Sequence, residues 1–222
     1  MEARVSRGAS TTDSILYESA KLFAHKGFHG TTIQEIADAV GIRKPSLFHH
    51  FASKAAIARA LVEYDYERSP SLQGKSELAG ASPSVRLFQI IRREVTAQLT
   101  SKYDMRGLYF SALLDEPDFA SWRQVHAKAL ADIVQVYQEG VKSGEFVDWD
   151  AHLAVEALNA IILQAVHWSA NHPDMSVSNE VAEMAIRLAV SDPNRIPAIR
   201  QEADALLQRA DKENKVKGGV GA

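Results

Sequence analysis

An all-α fold is what this sequence predicts, with a small amino-terminal helical domain followed by a larger helical one. Three observations carry that expectation. Apolar residues recur at helical spacing along most of the chain, and the alternation of half-buried strands is nearly absent. A length of 222 residues accommodates a small domain joined to a larger one. Between them lies SPSLQGKSELAGAS, Ser69 to Ser82, a Ser-, Gly- and Pro-rich stretch that reads as a linker or loop.

The elements follow in order. A first helix starts near Thr11–Asp13, carries Ile15, Leu16, Ser19, Leu22 and Phe23 on one face, and stops at Lys26–Gly27, where Gly suits a left-handed cap. A second begins at Thr32 with Glu35 three residues on, the spacing of a capping box. Its Ile33, Ile36, Ala37 and Val40 stand at i, i+3, i+4 and i+7, so one face is buried. Gly41 breaks that helix and Ile42 plugs the corner. Pro45 suits the first turn of a third helix, where its missing N–H costs nothing. Leu47 and Phe51 then face inward, and Ser53 caps a fourth helix through Ile57, Leu61 and Tyr64.

Beyond the linker, helices are expected from Pro83 to about Ser101, over Met105–Leu114, and from Pro117 to about Gly140–Gly144. Further ones run from Asp148 or Asp150 to about His172, over Ser178–Val190, and over Ala198–Lys212, with a disordered tail at 213–222. The expected domains are therefore 10–68 and 69–212.

Composition narrows the function classes. The chain is 46% hydrophobic and 24% charged, near the average of folded soluble proteins. With no cysteine, disulfides, zinc-finger ligation and thiol catalysis are excluded. The start, MEARVSRGASTTDS, has no apolar signal region, and the most apolar stretch, Ala157 to Val166, is interrupted by Asn159 and Gln164. A cytoplasmic protein is expected. No G-x-S-x-G, phosphate-cradling loop or metal-ligand spacing is present, so neither an enzyme, a cofactor nor a metal is expected. Asp115–Glu116 before Pro117 reads as a loop and helix start, not a catalytic pair. The net charge is −3, but residues 1–60 carry eight Lys and Arg against five acids, and the remainder seventeen against twenty-three. A basic head on an acidic body fits a chain that meets a polyanion at one end only.

The segment TTIQEIADAVGIRKPSLFHHF, Thr31 to Phe51, has the order helix, Gly-containing turn, short helix. That is the helix-turn-helix pattern, here over 32–51, whose second helix enters the major groove. Its exposed side would carry the donors Arg43, Lys44, Ser46, His49 and His50, while Thr31, Thr32 and the free N–H groups beside them suit a phosphate oxygen. Adjacent helical residues point ~100° apart, and His49–His50 has no third ligand nearby, so the pair does not read as a metal site.

From Gly27 to Lys54 the order GF-x-x-TTI-x-EIA-x-x-VGI-x-KPSLF-x-HF-x-SK closely resembles the DNA-binding domain of the TetR family of transcriptional regulators. The resemblance covers roughly residues 10–60, and beyond it extends only to size and helix content. It implies that Thr32 and Thr31 hold phosphate, that Gln34 reaches a base edge, and that Arg43 and Lys44 read bases, Arg or Lys to guanine being the commonest specific contact. It implies that Pro45 and Ser46 pack at the groove wall, that His50 is the family's usual His before Phe, and that Lys54 is its phosphate-binding Lys. Phe48 departs from the family's usual Tyr, which removes one hydroxyl contact to the backbone. Against these roles, Thr32 and Glu35 can serve as a capping box alone and Lys54 as a solvated side chain. Arg4 and Arg7 are either a DNA-touching arm or a plain tail.

The resemblance also implies a dimer with a small-molecule site in the larger domain. Residues 150–172 are apolar on more than one face and, with 178–190, form the expected four-helix homodimer interface. Phe88, Met105, Leu108, Tyr109, Phe110, Trp122, His126, Leu163, His167 and Trp168 are the candidate pocket residues, although each fits plain core as well. The expected function is a regulator, foremost a repressor, that binds a palindromic operator as a dimer and is released by a small apolar or aromatic effector. The alternative is a DNA-binding nucleoid or cell-division factor without small-molecule control.

Overall fold

A computed structural model of the chain describes residues 10–68, 78, 80–109, 112–172 and 177–218. Arg4, Arg7, Phe110, most of the predicted linker and the last residues of the predicted tail lie outside them. The described residues form helices, with a lone antiparallel bridge between Phe146 and Val190. In chain order these are α1 (Thr11–Gly30), α2 (Ile33–Val40), α3 (Lys44–His50), α4 (Lys54–Arg68), α5 (Pro83–Leu99), the single turn α6 (Arg106–Tyr109), α7 (Ala120–Lys142), α8 (Ala151–Ser169), α9 (Ser178–Ala189) and α10 (Ile196–Gly218). The helix expected over Met105–Leu114 is reduced to α6 and a 3₁₀ turn at Ala112–Asp115, the one expected from Pro117 opens as a 3₁₀ turn (Pro117–Phe119) and continues as α7, and α10 continues six residues past Lys212.

Two compact units result. The first holds the described residues of 1–68 together with 100–126. Its core joins Ile15 and Phe23 of α1, Ile36 of α2, Leu47 of α3, and Ile57 and Leu61 of α4 to Leu108, Leu113 and Phe119 from the later segment, all at most 1% exposed. Within it α6 lies against α1 so closely that Gly107 has room for no side chain: a Cβ there would stand 2.1 Å from the backbone carbon and oxygen of Phe23. At Gly27 α1 is interrupted (φ 73°, ψ 163°), which ends its regular part where the sequence placed the break.

The second unit holds the described residues of 69–99 and 127–222. Here α5 packs against α8, α9 and α10 through Leu87, Phe88, Ile91 and Val95. The buried Arg92 of α5 is matched by the Asp204 carboxylate, by Gln89 Oε1 at 2.9 Å and by Asn179 Oδ1 at 3.3 Å. A guanidinium in that setting needs such partners, since it keeps its charge and an unpaired buried charge is strongly destabilising.

Candidate nucleic-acid interface

Local chemistry builds the α2–α3 pair. The Thr32 hydroxyl accepts the Glu35 N–H at 3.2 Å while Glu35 Oε2 accepts the Thr32 N–H at 2.8 Å, the reciprocal capping box. Gly41 closes α2 in the left-handed conformation (φ 75°, ψ 29°), and Ile42 donates back to Ala37 at 3.0 Å. The chain then turns into α3 with Pro45 in its first turn. Leu47, fully buried, anchors α3 to the core, with Phe51 half-buried behind it.

Everything else on α3 faces outward. Arg43, Lys44, Pro45, Ser46, Phe48, His49 and His50 are all exposed, Phe48 at 44%. One buried leucine and seven exposed neighbours make a helix held by its back, with two cations at its amino end. The Thr12 hydroxyl of α1 lies 3.1 Å from His50 Nδ1, a contact between residues 38 apart that no local pattern announces. Gln34 is exposed and donates to Asp38 Oδ1 at 2.8 Å.

Two expected phosphate ligands stand differently. Thr31 is 1% exposed, and its hydroxyl donates inward to Gly27 O at 2.9 Å and Leu22 O at 3.3 Å. Both carbonyls lie at or just before the interruption of α1, and the Thr31 hydroxyl ties the two together. It is therefore withdrawn from the surface, while Thr32 remains on it. Lys54 is half-buried, with Nζ donating to the Phe28 and Thr31 carbonyls. Burial pulls its ammonium below the ordinary lysine range, with Glu116 and Glu35 opposing.

Two surface carboxylates brace the same unit. Lys26 donates to Glu35 Oε1 at 2.6 Å and, with the Thr32 bonds, lowers the Glu35 pKa from 4.5 to about 2. Lys102, Ser10 and Tyr103 do the same for Asp13 in the first turn of α1, from 3.8 to about 2. Because the folded carboxylates bind protons more weakly than the unfolded ones, their stabilisation is complete above about pH 4.5 and is lost as pH falls towards 2. Thermal melts between pH 5 and pH 2 should show Tm falling less steeply for Glu35→Gln than for the native chain. Parallel curves would mean the capping carboxylate is not coupled to folding.

The candidate pocket residues divide. Met105 and Leu108 are buried, and Tyr109, Trp122 and His126 half-buried, in the first unit; Phe88 is buried in the second. On α8, Leu163 is half-buried whereas His167 and Trp168 are exposed, with Trp168 stacked on His172 at 3.8 Å between ring centres. The first unit has a cavity of about 130 Å³ between α4 and residues 118–125, lined by Val62, Tyr66, Phe119, Trp122 and Val125 with Arg59, Glu63, Asp118 and Ser121. Trp122 alone of the expected residues lines it.

In the second unit α8 and α9 keep apolar side chains in the open. Leu153 is 69% exposed, Met184 56%, Leu188 47% and Trp168 42%. These are four of the six large hydrophobic side chains left exposed among the described residues, so the apolar surface is concentrated on two helices. Among the described residues no helix is long and apolar enough to cross a membrane, and no group of three or more acidic or His side chains is arranged to hold a metal ion.

A capped positioning helix, a glycine corner and a short helix with an outward basic start define a protein of the helix-turn-helix class. The family description for bacterial regulatory proteins of the tetR family matches residues 15–61, the stretch that contains these features. The regulator YerO of Bacillus subtilis (strain 168), an uncharacterised helix-turn-helix transcriptional regulator, is 30% identical over 142 residues, 61% of this chain. That match spans about half of YerO, 48% of its length. The transcriptional repressor KstR2 of Mycolicibacterium smegmatis is 28% identical over 173 residues, 73% of this chain and 81% of KstR2. The crystal structure of Mycobacterium smegmatis AmtR has the same fold, with a TM-score of 0.69 at 21% identity over 89% of this chain and 95% of AmtR. Over residues 15–61, then, the chain is similar to the helix-turn-helix domain of the tetR family of bacterial regulatory proteins.

Proposed function

We propose that the protein is a dimeric, effector-responsive repressor that reads a palindromic operator with α3. The observation that carries this reading is the exposure of Arg43, Lys44, Ser46, His49 and His50 on a helix fixed by the buried Leu47. In the reading, Arg43 and Lys44 meet base edges, Thr32 with the open amino end of α2 holds one phosphate, and His50 holds another. Gln34 stands beside them in the first turn of α2, and Phe48 packs its ring on sugar or a thymine methyl.

A single seven-residue helix touches too few bases for a regulator's specificity. Two copies roughly 34–36 Å apart read adjacent turns of one groove face. The exposed apolar faces of α8 and α9 support a two-fold pairing of chains that supplies the second copy. An effector that binds better to a dimer with its heads out of groove spacing lowers operator occupancy. Moving the equilibrium from mostly bound to mostly released takes a differential affinity of about 5 kcal/mol. The name of the relative KstR2 as a repressor favours that sign of control.

Selection from a duplex pool tests the base-reading role. The native chain should enrich one motif, and Lys44→Ala should lose about 1–3 kcal/mol of discrimination at one position in each half-site while the rest of the motif persists. An identical motif from both proteins would remove Lys44 from the base-reading set.

A further inference from the structure

Lys54 opens α4 at the edge of the proposed DNA surface, where a lysine would be expected to meet phosphate. Its surroundings give it another task. Nζ donates to the carbonyl oxygens of Phe28 at 2.5 Å and Thr31 at 2.6 Å, residues 26 and 23 positions earlier, and lies 4.3 Å from the centre of the Phe28 ring. Two of its three N–H donors are thereby committed, and the ring occupies one side of the ammonium.

Both acceptors flank one corner. Gly27, just before Phe28, breaks the helical backbone, and Thr31 immediately precedes Thr32, the cap of α2. Chain leaving a helix carries carbonyls with no partner, and an ammonium is a strong donor to them. The same corner presents the open amino end of α2, whose direction depends on how the corner is held. Lys54 adjoins Ser53, which caps α4 by accepting the Ala56 N–H at 3.1 Å.

We propose that Lys54 is a positioning residue, which from the start of α4 grips the α1–α2 corner and so fixes the amino end of α2 against that of α4, without itself binding phosphate. For its effect on DNA affinity the proposal rests on the function inferred above. For its effect on the free protein it does not.

The two roles leave different signatures in the full-length chain. A phosphate ligand contributes counterion release, so its loss flattens the dependence of log affinity on log salt by about 0.9 per contact and leaves the free protein unchanged. A positioning residue acts before DNA arrives. In the free protein, Lys54→Met should lower Tm and speed hydrogen exchange at the amides of Thr31 and Glu35. Lys54→Gln retains N–H donors without charge and should restore part of both.

On the duplex enriched by the native chain, Lys54→Met should bind about tenfold more weakly with the native salt slope, and Lys54→Gln should fall between. Native melting and exchange in Lys54→Met, together with a flattened slope in both variants, would overturn the proposal in favour of a direct phosphate contact. Should Lys54→Met fail to fold, the slope of Lys54→Gln decides: native slope supports positioning and a flattened slope overturns it. If the native chain binds no duplex, the functional reading falls, and unchanged exchange at the corner of Lys54→Met or Lys54→Gln would still overturn the positioning role.

Discussion

Leu153→Glu should separate the chain into folded monomers and abolish high-affinity operator binding. Leu153 is 69% exposed on α8, so a carboxylate there is solvated in the single chain and changes its stability little, within about 0.5 kcal/mol. In a two-fold interface built from α8 and α9 the same change enters twice, and buries two carboxylates in a contact otherwise formed by exposed apolar side chains. Desolvating unpaired carboxylates costs several kcal/mol, and about 4 kcal/mol already weakens association about a thousandfold. Sedimentation at micromolar concentration reads the dimer, circular dichroism the fold, and a palindromic duplex the function. A Leu153→Glu chain that sediments as a dimer and binds normally would move the interface away from this face.

Gly107→Ala should cost the first unit about 3 kcal/mol, the upper end for overpacking a core by one methyl. The added Cβ would meet the Phe23 carbon and oxygen at 2.1 Å and the Ala24 nitrogen at 2.4 Å. All three belong to the α1 backbone, which cannot swing aside as a side chain tip can. Either α6 lifts from α1 or the core around Phe23 opens. Gly41→Ala provides the contrast: nothing lies within 4 Å of its Cβ, so only the strain of φ 75° remains, about 1–2 kcal/mol. Chemical denaturation should therefore rank Gly107→Ala well below Gly41→Ala. The reverse order would mean that α6 does not press on α1 in solution.

These two glycines also mark how far the sequence can be read. Gly41 follows an apolar-periodic helix and precedes a proline-started one, so its corner is visible from residues a few positions apart. The capping box of Thr32 and Glu35 and the cap at Ser53 are legible for the same reason, since each is a bond across three residues. Gly107 sits in a short apolar run with nothing to show that α1, some eighty residues earlier, lies against it. Met105 and Leu108, candidate pocket residues of the larger domain by sequence, instead join Tyr103, Leu113, Leu114 and Phe119 in completing the first core.

The candidate surface divides along the same line. Exposure of Arg43, Lys44, Ser46, His49 and His50 follows from the period set by Leu47, which the sequence contains. Thr31 and Thr32 look alike as adjacent threonines. Only the fold shows that the Thr31 hydroxyl turns inward, onto the Leu22 and Gly27 carbonyls of α1. The Lys54 bonds and the Thr12–His50 contact span 23 to 38 residues, and no local pattern encodes them. The candidate effector residues are the least legible, because a buried aromatic side chain packs a core and lines a cavity by the same chemistry.

The most direct test of the account is to select bound duplexes from a random pool with the full-length native chain at about 0.15 M salt, where non-specific phosphate binding is suppressed. An inverted repeat whose half-sites lie about one helical turn apart, each read by one α3, should be enriched. Enrichment of a single unrepeated half-site, or of no sequence at all, would contradict the proposed reading.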